Sequence, residues 1–215
     1  SKSGYSLLGQ TWSQPKVTFI NVAGYKNKPL LVFGAGYDVT KDTDPNANDS
    51  KGLGVYIADA QTGELVASFT PSAGTVNFNG LKNSIPSDIA LLDSDYDGMV
   101  DRMYTADTGG NVWRIDMPGD SPNGAEPWTV IQIAALGGSG ASDRKFFYQP
   151  EVARTYFSKV TETTIDNNGS VSKQLSRRQT PYEAILIGSG NRTNPKNTSV
   201  DDQLFMIRDE KVLTQ

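Results

Sequence analysis

Short runs of aliphatic, β-branched and aromatic residues alternate along the chain with clusters of Gly, Asp, Asn and Pro. Helical periodicity is almost absent. Runs of this kind bounded by turn residues predict strands. Lys16–Val22, Leu30–Phe33, Val55–Ala58 and Leu65–Phe69 form a first set. Ile89–Leu92, Arg102–Ala106, Val112–Ile115 and Thr129–Ile133 form a second, and Glu151–Phe157, Ala184–Ile187 and Gln203–Arg208 open a third.

The sets resemble one another, and a repeat must be recognised before a fold is named. Each opens on a proline just ahead of its first strand: Pro15, Pro86 and Pro150. Two share a Gly-x-Gly turn after an aliphatic strand, Gly34-Ala35-Gly36 and Gly188-Ser189-Gly190. Each then carries an aromatic followed closely by an Asp: Tyr56 with Asp59, Tyr104 with Asp107, Phe205 with Asp209. Tight turns follow two of these, at Thr62-Gly63 and Gly109-Gly110-Asn111, where Gly supplies a positive φ without steric cost. A repeat of four short antiparallel strands is the signature of a propeller blade. The chain is therefore expected to be all-β, part of one β-propeller domain with blades at about 12–80, 81–145 and 146–215, and a fragment of a longer propeller. A β-sandwich of similar strand count is the alternative. Three stretches read as insertions: Val39–Gly54, Pro118–Pro127 and the Ser/Thr/Asn-rich Val160–Tyr182, where Asn167-Asn168-Gly169 has the chemistry to top a hairpin.

Composition narrows the chemistry. With no Cys and no His, disulfides, thiolate nucleophiles, imidazole bases and His-ligated zinc are excluded. A formal charge of −4 does not favour nucleic acid, which needs clustered Lys and Arg. The basic cluster Lys173–Arg178 lies in a polar stretch and reads as a solvated loop. No apolar run approaches the roughly 18 residues of a membrane span.

One segment carries a distinct chemical signal. Asp93-Ser94-Asp95-Tyr96-Asp97-Gly98-Met99-Val100-Asp101 places carboxylates at its first, third, fifth and ninth positions, with Gly98 where the chain must turn sharply. The opening six residues follow EF-hand spacing. Calcium takes six to eight oxygens at about 2.3–2.6 Å. Asp93, Asp95, Asp97 and Asp101 with the Met99 carbonyl supply most of them, and water the remainder. The loop is not an EF-hand, because Tyr104 stands where the bidentate Glu belongs and both flanks read as strands. Four carboxylates in so short a loop repel one another without a cation. A solvated acidic turn and a magnesium site are the competing readings. Asp42–Asp49 is a second acidic stretch, but Pro45 and the lack of a Gly argue against a tight cage.

Other candidates read as structural. No helix follows either Gly-x-Gly turn, so a phosphate loop lacks its dipole. Trp12, Trp113 and Trp128 are expected to pack between blades rather than act as sugar platforms. Arg114 and Asp116 are expected to pair across a strand face, and Asp59 and Asp107 to cap turns.

The run from Ile89 through Asp93–Asp101 to Trp113-Arg114-Ile115-Asp116 resembles the C-terminal propeller of the PilC/PilY family of type IV pilus biogenesis factors and tip adhesins. The Phe33–Gly36, Tyr56–Leu65 and Ile187–Arg192 patterns are similar to that family as well. The resemblance implies a modified propeller of the quinoprotein-dehydrogenase type with about seven blades. It implies a bacterial surface protein of the pilus tip and outer membrane, with pilus components such as minor pilins, and host or abiotic surfaces, as partners. It further implies that calcium at Asp93, Asp95, Asp97, Met99 and Asp101 governs pilus extension against retraction, and so twitching motility and adhesion. The resemblance and the absence of a catalytic constellation favour a non-enzymatic role. An integrin-like or lectin-like calcium module and a quinone-dependent dehydrogenase are the alternatives.

Overall fold

The computed structural model describes residues 2–44, 47–167 and 170–212. Among the described residues, twelve strands form three sheets. The first holds β1 (Lys16–Thr18), β2 (Leu30–Gly34), β3 (Val55–Asp59), β4 (Leu65–Thr70) and the short β5 (Val76–Asn77), in chain order. Its pairs are antiparallel except β4 with β5. The second is a meander of β6 (Ala90–Leu92), β7 (Arg102–Ala106), β8 (Asn111–Asp116) and β9 (Thr129–Ala135). The third holds β10 (Glu151–Asn167), β11 (Ser170–Gly188) and β12 (Leu204–Asp209).

Two elements differ from the sequence expectation. The strand expected over Lys16–Val22 ends at Thr18. Beyond it the backbone turns to other partners: the Phe19 carbonyl accepts the Val100 N–H and the Ala23 N–H goes to Asp120. Ile20 and Val22 are buried, so their apolar signal reports core packing rather than pairing. The Val160–Tyr182 insertion, with its Lys173–Arg178 cluster, is not a loop. β10 and β11 pair without a break from Glu151↔Leu186 to Asn167↔Ser170. Thr, Val and Ile favour extended backbone there, although the outer part of the hairpin is exposed on both faces. Lys173 pairs with Glu162 at 2.6 Å in that region. Of the expected turn, Asn168 and Gly169 lie outside the described residues.

The second sheet is covered on both sides. Met103, Trp113 and Ile115 face the first sheet and join Leu30, Val32, Val55, Ile57 and Phe69 in one core. Trp113 meets Phe78 edge-on at 4.9 Å, and Trp128 stacks on Phe69 at 5.9 Å, so both act in packing as expected. The opposite face presents Ala90, Tyr104, Ala106 and Val112 to Ile185 and Ile187 of the third sheet. Period-2 alternation along β7 and β8 places Arg102, Arg114 and Asp116 on that same face.

These charges do not reach water. Arg102 donates to Asp116 and to Glu183, both at 2.8 Å. Arg114 donates to Asp116 at 2.8 Å and to Asp209 at 2.7 Å. The Tyr104 hydroxyl contacts the carboxylates of Glu183 and Asp209. The expected Arg114–Asp116 pair is thus one edge of a larger cluster joining two sheets. Burial and the neighbouring carboxylates push the Tyr104 phenol far above its ordinary range. Asp209 is held below the usual carboxylate range, because the bonds from Arg114 and Tyr104 outweigh the effect of burial. Removing one partner strands a buried charge, which costs about 3–5 kcal/mol. Glu183→Ala is therefore expected to lower unfolding free energy by that amount in urea titration, and Lys173→Ala, on the exposed hairpin, to lower it by under about 1 kcal/mol.

Candidate metal centre

The acidic segment Asp93–Asp101 joins β6 to β7, whose register begins at Leu92↔Arg102. Backbone bonds pin its base. The Asp101 N–H goes to the Leu92 carbonyl, the Met117 N–H to the Asp101 carbonyl, and the Val100 N–H to Phe19. Val100 is buried in the first core. The loop therefore projects from a fixed frame.

Within it, carboxylates accept N–H groups and curl the chain inward. Asp93 accepts from Asp97 at 3.2 Å and from Gly98 at 2.8 Å. Asp95 also accepts from Asp97, at 3.1 Å, and Asp97 accepts from Met99 at 2.7 Å. The two oxygens of Asp101 take the N–H and the hydroxyl of Ser94, at 2.9 and 2.7 Å. Two residues adopt positive φ, Tyr96 at 66° and Gly98 at 89°. For Gly98 this is the conformation its place in the motif demands.

Oxygens of Asp93, Asp95 and Asp101 come within 4.8 Å of one another, the one such carboxylate group among the described residues. Asp97 holds the turn through Met99 rather than joining that group. Burial first, and the Asp95 charge in addition, push the Asp101 carboxyl above its ordinary range despite the Ser94 bonds. The donors are all hard oxygens, the set that suits calcium or magnesium rather than a softer metal.

The second acidic stretch is occupied differently. Asp42 accepts from the Tyr37 hydroxyl at 2.8 Å. Asp49 takes the Ser84 N–H and lies 3.7 Å from buried Lys41. Asp38, which the sequence reading passed over, accepts from the N–H groups of Thr40, Ser50 and Lys51. Asp59 and Asp107 cap turns as expected, Asp59 at Gln61 and Thr62 and Asp107 at Gly109 and Asn111. Sequence reasoning also missed Ser94, whose hydroxyl orients Asp101, and Arg154, which reaches the loop from β10 and donates to the Ser94 carbonyl. No local motif marks either residue.

Fold and site together define a partial β-propeller with an acidic, cation-suited loop between two strands of one blade. A family profile described as the PilY1 beta-propeller domain matches residues 4–212. The chain belongs to that family, whose members are type IV pilus biogenesis factors. It is 30% identical over 140 residues to the type IV pilus biogenesis factor PilY1 homolog of Xylella fastidiosa (strain Temecula1 / ATCC 700964), covering 60% of this chain and 8% of that protein. It is 29% identical over 118 residues to type IV pilus biogenesis factor PilY1 of Pseudomonas aeruginosa (strain UCBPP-PA14), covering 55% of this chain and 9% of that protein. The chain thus spans less than a tenth of either relative. The crystal structure of the Pseudomonas aeruginosa PilY1 C-terminal domain superposes with a TM-score of 0.60 at 19% identity, over 95% of this chain and 38% of that one. That likeness bears out the propeller over the β-sandwich.

The loop's shape depends on Gly98 in the left-handed region. An added Cβ meets no neighbour there, so Gly98→Ala tests backbone strain alone. It is expected to cost about 1 kcal/mol, read as a lower urea midpoint with an unchanged slope.

Proposed function

We propose that the chain is the calcium-responsive part of a surface-exposed type IV pilus biogenesis and adhesion factor, in which calcium bound at the Asp93–Asp101 loop regulates pilus extension against retraction. The observation that carries this reading is the convergence of Asp93, Asp95 and Asp101 oxygens on a loop whose base is pinned by backbone bonds to Leu92, Phe19 and Met117. Asp93, Asp95 and Asp101 hold the ion, with Asp97 and the Met99 carbonyl as the further oxygens that the spacing supplies. Calcium contributes charge neutralisation and a fixed loop geometry, and no covalent chemistry. A ligand that binds only the ordered loop favours the ordered state by mass action. Extracellular modules bind calcium at about 10⁻⁴–10⁻³ M, so external calcium lies in the range that switches such a site.

Membership of a pilus biogenesis family supports pilus components as partners and the cell surface or pilus tip as the place of action. Twitching motility and attachment follow from control of retraction.

Calorimetric titration of the chain is expected to show one calcium site, lost in Asp101→Asn and retained in Asp42→Asn. The same Asp101→Asn change in the full-length protein, in a bacterium with type IV pili, is expected to alter surface piliation and reduce twitching without lowering protein abundance. A wild-type chain that binds no calcium, or a loop variant with ordinary twitching, contradicts the proposal.

A further inference from the structure

Arg154 lies at the rim of the buried charge cluster and at the edge of the acidic loop. It stands on β10 directly opposite Glu183 on β11. The cluster sets two guanidiniums, Arg102 and Arg114, against three carboxylates, Asp116, Glu183 and Asp209. Tyr104 faces two of those carboxylates with a single phenolic proton. Arg154 supplies the missing positive charge, with Nε 3.6 Å from Glu183 Oε1. The same guanidinium donates from Nη2 to the Ser94 carbonyl and lies 5.0 Å over the Tyr96 ring. Ser94 and Tyr96 flank Asp95, and Ser94 also holds both oxygens of Asp101. One side chain therefore fixes the peptide on which the loop's carboxylates hang while it answers a fully buried carboxylate at the base of the long hairpin.

We propose that Arg154 is a positioning residue that couples cation binding in the Asp93–Asp101 loop to the base of the β10–β11 hairpin, an inference that rests on the calcium reading above. Coulomb's law alone gives the opposite expectation. A guanidinium beside a dication site repels the ion, so its removal should tighten binding. Positioning reverses that sign, because without Arg154 the Ser94 carbonyl loses one donor that holds the peptide in place and the loop bears more of the ordering cost itself. The coupling is reciprocal: an ion that holds the loop closed strengthens the Arg154 grip, and through Glu183 the hairpin base. β10 and β11 are the longest strands of the chain and are largely exposed beyond that base. The link thus runs from the ion site to the base of a long, largely exposed hairpin.

The test is calorimetric calcium titration, with amide exchange of β10 and β11 followed on the same samples. Arg154→Ala is expected to weaken calcium binding by about tenfold. Arg154→Lys, which keeps the charge but not the planar fork, is not expected to restore it. Tyr96→Leu removes only the stacking partner at a residue 79% exposed, and is expected to shift affinity in the same direction. That variant carries the test if Arg154→Ala fails to fold. In wild type, calcium is expected to slow exchange at the hairpin base, and at saturation Arg154→Ala is expected to show no such slowing. Unchanged or tighter binding in Arg154→Ala, or equal protection of its hairpin, overturns the inference. Calcium binding to wild type with an unresponsive hairpin also overturns it and leaves the calcium reading standing, whereas a wild-type chain that gives no heat defeats both.

Discussion

Two arginines and three carboxylates enclosed between sheets dictate how the second and third sheets meet. Ions of that kind carry a desolvation cost of several kcal/mol each, which only mutual pairing in good geometry offsets. Arg102 and Arg114 project from β7 and β8, Glu183 and Asp209 from β11 and β12, and the bonds between them span 2.7–2.9 Å. A hydrophobic interface tolerates sliding, and this one does not. Slipping β7 or β8 by a single residue turns that strand's charges to the opposite face, where Met103 and Ile115 pack. The apolar contacts of Tyr104, Val112, Ile185 and Ile187 supply the burial, and the charges set the alignment.

The same frame explains why an acidic loop can be held open to solvent. Its ends are fixed by backbone bonds to Leu92, Phe19 and Met117, and its flank is tied to the cluster through Arg154. Only the tip depends on local carboxylate-to-amide bonds and two positive-φ residues. Fixed ends beneath an exposed, charged tip are an arrangement by which a local change in a loop can reach the body of a domain.

Most of this architecture was legible in the chain. Strands such as β2, β3, β7 and β8 announce themselves because aliphatic and aromatic residues are bounded by Gly and Asp turns, and the Asp-rich loop because no ordinary turn needs so many carboxylates. The outer half of β10–β11 was not legible. With neither face buried, Thr161–Thr164 and Ser172–Ser176 carry no alternation for a pattern to show, and polar composition imitates a loop. Ile20 and Val22 misled in the opposite sense, being apolar for the core and not for pairing. The charge cluster was half visible: Arg114 and Asp116 share a strand, but their partners on β11 and β12 lie far along the chain, and single-sequence spacing does not report such distances. Arg154 left no trace for the same reason. Of the loop's acids named from spacing, Asp93, Asp95 and Asp101 bring oxygens within 4.8 Å of one another, while Asp97 accepts the Met99 N–H through one oxygen.

If calcium fills the Asp93–Asp101 loop and the fold senses it, occupancy must stabilise the folded chain. The most direct test is the unfolding temperature of the chain as a function of free calcium, with magnesium as the control. The temperature is expected to rise with the logarithm of calcium concentration once the dissociation constant is passed, with little response to magnesium at equal concentration. A flat profile with calcium, or equal rises with both ions, would contradict it.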